Sequence, residues 1–194
     1  MAENLNVSTF RNGDIIPEAK NIEEWRSAVY ENRPAWCYYD FDSKNGDKYG
    51  KLYNWFAISD NRGLAPIGWK VPSDDNWVIL EEYLGGVEVA GLKMRDTTGW
   101  AKDDDATNES GFSSLPGGSL YFEGAESGLS DLSIEQVNFD GYFKGIGSYG
   151  DWWSTTDYED VNGIAYRWLI DNFTYLSTAY ANKYKGMAVR CMKD

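Results

Sequence analysis

The chain reads as an α+β domain with two helices, short twisted antiparallel strands and much irregular loop. Three observations carry this. Only two segments show a helical period with recognisable caps. The C-terminal third alternates apolar and polar positions with the period of a strand. Aromatics reach 16% and glycines number 20, the composition of a fold rich in strands and turns. With 194 residues, a hydrophobic share of 42% and no linker-like stretch, one domain covering residues 1–194 is expected.

The first helix is expected from about Ile22 to Asn32. Asn21 stands as N-cap with Glu24 three residues on, and Ile22, Trp25, Ala28 and Val29 share a face. The second is expected from about Asp74 to Leu84, with Ser73 as N-cap and Gly85-Gly86 as the stop. Trp77, Leu80 and Leu84 form its apolar stripe. Trp36–Tyr39 and Lys51–Ile58 read as strands, and Asn45-Gly46 and Pro116-Gly117-Gly118 as turns. Residues 97–108, with Asp103, Asp104 and Asp105 in a row, read as a solvated acidic loop. On the next strand Ile164, Tyr166, Trp168 and Ile170 share one face, and Ala165, Arg167 and Leu169 the other. Phe173, Tyr175 and Ser177 repeat the alternation, and Met187, Val189 and Cys191 close the chain as a core-facing strand.

Composition excludes several functions. With no histidine, triads and zinc sites built on imidazole are absent. The net charge of −13 disfavours nucleic acid as a partner. No apolar run spans a membrane, and Met1–Phe10 lacks the charged and apolar regions of a signal peptide. Cys37 and Cys191 form one bridge or stay as buried thiols; the sequence leaves both open. No cofactor or metal is expected. Asp40–Gly46 lacks the oxygen ligands of a calcium loop at its fifth and twelfth positions, where Lys44 and Lys51 stand, and reads as an Asx/Asn-Gly turn. Gly145, Gly147 and Gly150 have the spacing of a dinucleotide loop, but Asp151-Trp152-Trp153 follows instead of a helix. No spacing singles out a pair of catalytic carboxylates.

Ten aromatics lie between Tyr149 and Tyr184, interleaved with Asn, Asp, Ser and Thr. Tyr and Trp supply rigid contact area, and the polar residues adaptable hydrogen bonds. Trp152-Trp153 read as core, whereas Tyr166–Tyr184 read as an exposed surface because Asp171, Asn172 and Asn182 dilute the apolar pattern.

Specific motifs run along nearly the whole chain. They are Met1-Ala2-Glu3-Asn4-Leu5, Phe10-Arg11-Asn12-Gly13-Asp14, Pro34-Ala35-Trp36-Cys37-Tyr38-Tyr39-Asp40, Tyr49–Trp55, Arg62–Pro66 and Gly68–Ser73. Further on come Ala106–Phe112, Leu115–Gly118, Trp152-Trp153-Ser154-Thr155-Thr156 and Ala188-Val189-Arg190-Cys191. Together they resemble the Fibrobacter succinogenes major paralogous domain family. The resemblance implies a C-type-lectin-like fold of the sulfatase-modifying-factor type and an extracellular or cell-surface location in Bacteroidetes and Fibrobacter. It also implies similarity to the variable proteins of diversity-generating retroelements, with residues 158–185 as the hypervariable, ligand-binding segment. Ile170–Asn182 contains none of the residue types that adenine mutation of an Asn codon cannot produce (Lys, Glu, Gln, Met, Trp). Two departures stand out. The upstream strand usual in the family is not present before Met1, and Phe122–Phe139 is longer than typical. The reactive cysteine pair of the enzymatic lectin-fold relatives is not matched by Cys37 and Cys191.

The expected function is therefore non-catalytic binding of a protein or carbohydrate ligand through Tyr158, Tyr166, Trp168, Ile170, Asp171, Asn172, Phe173, Tyr175, Tyr180, Asn182 and Tyr184. A structural or adhesive role in a surface assembly is the alternative, and a carboxylate-dependent hydrolase ranks third. The oligomeric state is open.

Overall fold

Helix α1 (Ile22–Tyr30) begins where its cap puts it. The Asn21 side chain accepts from the Glu24 amide at 2.9 Å, and the Glu24 carboxylate accepts from the Lys20 amide at 2.8 Å. Trp25, Ala28 and Val29 are buried beneath it. These positions come from a computed structural model that describes residues 1–101, 105–122, 141–158, 163–170 and 173–194. Asp103 and Asp104, Asp171 and Asn172, and most of the long stretch after Phe122 lie outside the described residues.

Two strand expectations shorten. Only Trp36–Cys37 (β1) and Leu52–Tyr53 (β2) pair, antiparallel. The chain between them passes through 3-10 turns and the single turn α2 (Gly46–Tyr49). The Asx turn expected there forms, with Asp42 accepting from the Lys44 amide at 3.0 Å. After β2, Asn54 ends the strand because its side-chain oxygen accepts from both the Ala35 and Ala57 amides, at 3.1 and 3.0 Å. Trp55–Ile58 therefore coils into the turn α3 rather than extending as a strand.

The second expected helix, α4 (Asp74–Tyr83), follows β3 (Trp69–Lys70) and carries a reciprocal capping box between Ser73 and Asn76. Gly85 and Gly86, with φ of 106° and 95°, stop it as expected. A third regular helix, α5 (Val87–Met94), has no counterpart in the sequence reading. Gly91 at its centre argues against a helix by propensity. Tertiary contact explains it: a Cβ at Gly91 would lie 2.5 Å from the Thr174 carbonyl oxygen, so only glycine lets α5 lie against that loop.

The remaining strands are antiparallel. β4 (Gly117–Phe122) pairs with β5 (Gly141–Ile146). β6 (Tyr149–Tyr158), β7 (Gly163–Ile170) and β8 (Ser177–Ala181) form the largest sheet, in that order. Of the three glycines with dinucleotide-loop spacing, Gly145 lies in β5 and Gly150 in β6, and Gly147 makes the turn between them, with no helix after it, as expected. Phe173 and Tyr175 precede β8 rather than extending it. The closing segment is buried as expected at Met187, Val189 and Cys191. It does not run as one strand, however. Gly186, Met187 and Ala188 each bridge a different neighbour (Leu120, Tyr53 and Trp152), and β9 (Met192–Lys193) pairs with β3.

The alternation expected along β7 gives two buried faces, not one. Ile164 and Tyr166 join a cluster with Trp36, Tyr53, Trp55 and Trp153. Leu169 joins a second, with Trp152, Trp77, Met94 and Phe112, beneath α4 and α5. Trp152 and Trp153 are both fully buried, as expected, on opposite sides of one sheet. Cys37 and Cys191 are free, buried thiols in different clusters. Burial raises both thiol pKa values, that of Cys191 to about 11.

Candidate ligand-binding face

The motifs that run along the chain meet in space as a frame. The Asn4 side-chain oxygen accepts from the Trp152 indole at 2.8 Å and from two nitrogens of Arg190 at 2.9 and 3.2 Å. Arg190 also donates to the Phe112 carbonyl, and burial lowers its pKa to about 10. The Trp153 indole donates to the Tyr53 carbonyl at 2.8 Å. Thr156 accepts from the Asp74 amide at 2.9 Å, and the Thr155 amide donates to the Pro72 carbonyl at 2.8 Å. The first, last and central motifs thus hold β6 against α4 and both ends of the described chain.

The expected site residues divide on this frame. Tyr166 is buried, with the Lys185 ammonium 4.9 Å from its ring centroid, so the exposed role expected for it is overturned. Trp168 packs partly buried against the first cluster, and its indole nitrogen is buried with no hydrogen-bond partner among the described residues. Tyr184 is half-buried against α1, where its carbonyl accepts from the Trp25 indole at 2.9 Å. The physical reason is that the inner face of β7 closes on the N-terminal half of the chain, which the sequence of this segment does not show. Asn182 makes a local turn, accepting from the Tyr184 amide at 2.9 Å. Ile170 ends β7.

The outward set is smaller. Tyr180 on β8 is 50% exposed, and its ring meets that of Tyr158 at 5.5 Å and 83°. The Tyr158 hydroxyl donates to Asp74 at 3.1 Å, which raises its pKa. Phe173, 40% exposed, stacks on Tyr175 at 4.9 Å.

Two charged groups that the sequence reading missed anchor the sheet. Arg167 is buried with Asp74 at 2.7 Å and Glu81 at 3.5 Å. Asp151 is buried on β6 and accepts from Ser119 at 2.6 Å and Tyr121 at 2.8 Å. Burial pushes the Asp151 and Glu81 carboxyls up, and at Asp151 the Ser119 hydrogen bond and the nearby Lys185 ammonium oppose this. Lys185 is itself buried, 4.0 Å from the Tyr121 ring centroid. The only sequence signal for these charges was their place inside aromatic runs. Among the described residues no three His, Cys, Asp or Glu side chains gather as metal ligands, and no helix is long and apolar enough to cross a membrane.

No curated protein and no solved structure matches the chain. The sequence profile of the Fibrobacter succinogenes major domain matches residues 1–193, in agreement with the resemblance carried by the framing motifs. The chain belongs to the Fibrobacter succinogenes major domain family.

Proposed function

We propose that this chain is a non-catalytic ligand-binding module of the cell surface or extracellular space, with a C-type-lectin-like frame and a binding face on the outer side of the large sheet. The observation that carries this is the exposed Tyr180 ring against the partly buried Tyr158 ring, on a sheet whose tryptophans are all drawn toward the core. Exposed tyrosines held by a rigid frame give contact area at low entropic cost. Phe173 and Tyr175, before β8, add a second aromatic element to the same segment. The ligand is a protein or a glycan. Glycan and surface-protein arrays probed with wild type and with Tyr180→Ala test the reading. It predicts captured ligands that the variant loses, and a blank array for the wild type overturns it. Natural variation of the gene concentrated in residues 158–185 supports diversification of this face.

A structural or adhesive role has one observation of its own. Ile79 and Tyr83, one turn apart on α4, are 62% and 85% exposed. Self-association lost on Tyr83→Ser favours that role.

A further inference from the structure

The outer face of the sheet has a chemical bias that narrows its ligand. The Tyr158 and Tyr180 rings meet edge to face at 83°, so beside the contact a π face of one stands at a right angle to the uncovered part of the other's, a corner rather than one flat platform. A flat platform suits a sugar ring, whereas a corner of electron-rich faces suits a compact cation. The Tyr158 hydroxyl donates to the Asp74 carboxylate at 3.1 Å. That bond fixes the ring and leaves it richer in electrons.

The surrounding charge points the same way. One buried cation, Arg167, faces two carboxylates, Asp74 and Glu81, and Asp75 stands exposed beside them. The corner therefore keeps a negative excess. Lys183, an exposed cation just past β8, lies within 3.5 Å of Asp157. The whole chain carries −13, which draws cationic partners from a distance.

We propose that Tyr158, Tyr180, Asp74 and Asp75 form a recognition corner for an alkylammonium or guanidinium group, and that its occupant is a lysine or arginine side chain of a protein partner. The inference rests on the reading that this face binds a ligand, and it selects protein over glycan. The acids have a local role as well, since they sit in the first turn of α4 and favour its dipole. That role does not require two crossed tyrosines against them.

The test follows the ring signals of 13C-labelled tyrosine during titration with acetyl-Gly-Lys-Gly-amide and, in parallel, acetyl-Gly-Gln-Gly-amide. The lysine peptide should shift Tyr158 and Tyr180 saturably, and the glutamine peptide should leave them in place. Asp75→Asn should weaken binding about two- to fivefold, and Tyr180→Leu should abolish it. Added salt should weaken it further. Equal shifts from both peptides, or none from either, overturn the proposal. If the lysine peptide fails while a glycan captured by the wild type is lost by Tyr180→Leu, this inference falls and the binding reading stands. If the peptide fails and the arrays are blank as well, both fall.

Discussion

Trp153 and Tyr180 belong to the same three-stranded sheet and have opposite fates. Trp153 is fully buried, and its indole donates to the Tyr53 carbonyl at 2.8 Å. Tyr180 is half exposed and meets the partly buried ring of Tyr158. Both are large aromatics with a polar handle. What separates them is cover: the N-terminal half of the chain closes on the inner face, while α4 and α5 reach only part of the outer one. An aromatic count therefore says little about a binding face until the cover is known. If the division is right, substitutions on the two faces should differ by kilocalories. Trp153→Ala should show the largest loss, about 3–5 kcal/mol in chemical denaturation, from lost burial plus a cavity.

Asn4→Ala should come next. Its oxygen serves the Trp152 indole and two Arg190 nitrogens, so the variant leaves several buried donors short of an acceptor. A loss of about 2–3 kcal/mol is expected, one step being a charged donor. A loss below about 0.5 kcal/mol would mean that the clasp between the first and last motifs is ornamental to the frame.

The sequence showed the parts whose cause is local. The caps at Asn21 and Ser73, the stop at Gly85-Gly86 and the Asx turn at Asp42 each depend on residues within a few positions. The α5 helix was hidden because Gly91 answers to the Thr174–Tyr175 backbone, far away in sequence. Tyr166 and Trp168 share a face with Ile164 as the alternation predicts, but that face is covered rather than exposed, for the same kind of reason. Polar neighbours suggested exposure, but the cover comes from residues more than a hundred positions earlier. Buried charges were the least legible. Arg167 meets Asp74 across 93 residues, and in one dimension both look like surface charge. Tyr180 is exposed as the polar neighbours of its segment suggest, because its place on an edge strand leaves it uncovered.

Asp151 sharpens the comparison through pH. Its carboxyl is raised in the folded state, chiefly by burial, above the value near 3.9 of an unfolded chain. Between those two values the folded state holds a proton that the unfolded chain has released. The contribution of this group to stability is thus greatest at low pH and falls as pH rises through that window, then levels off. Asp151→Asn retains an oxygen acceptor for Ser119 and Tyr121 but removes the titration. Wild-type stability minus variant stability should therefore decline with rising pH across the window. A difference that rises instead would show the Lys185 attraction outweighing desolvation.

Tyr180→Ala should have the smallest effect on stability and the largest on binding. The side chain is half exposed and sits on an edge strand, so a loss within about 0.5 kcal/mol is expected. Its contact with the Tyr158 ring is a partly exposed edge-to-face pair worth about 0.5–1.5 kcal/mol at most, part of which solvation of the remaining ring recovers. Pairing this variant with Trp153→Ala in one denaturation series tests the division directly. A loss of 2 kcal/mol or more at Tyr180 would assign the outer pair to the frame, because a ring that matters that much to folding cannot be spared for a ligand. A near-neutral result together with lost ligand capture would separate frame from face at residues of one sheet, with cover rather than residue type deciding which is which.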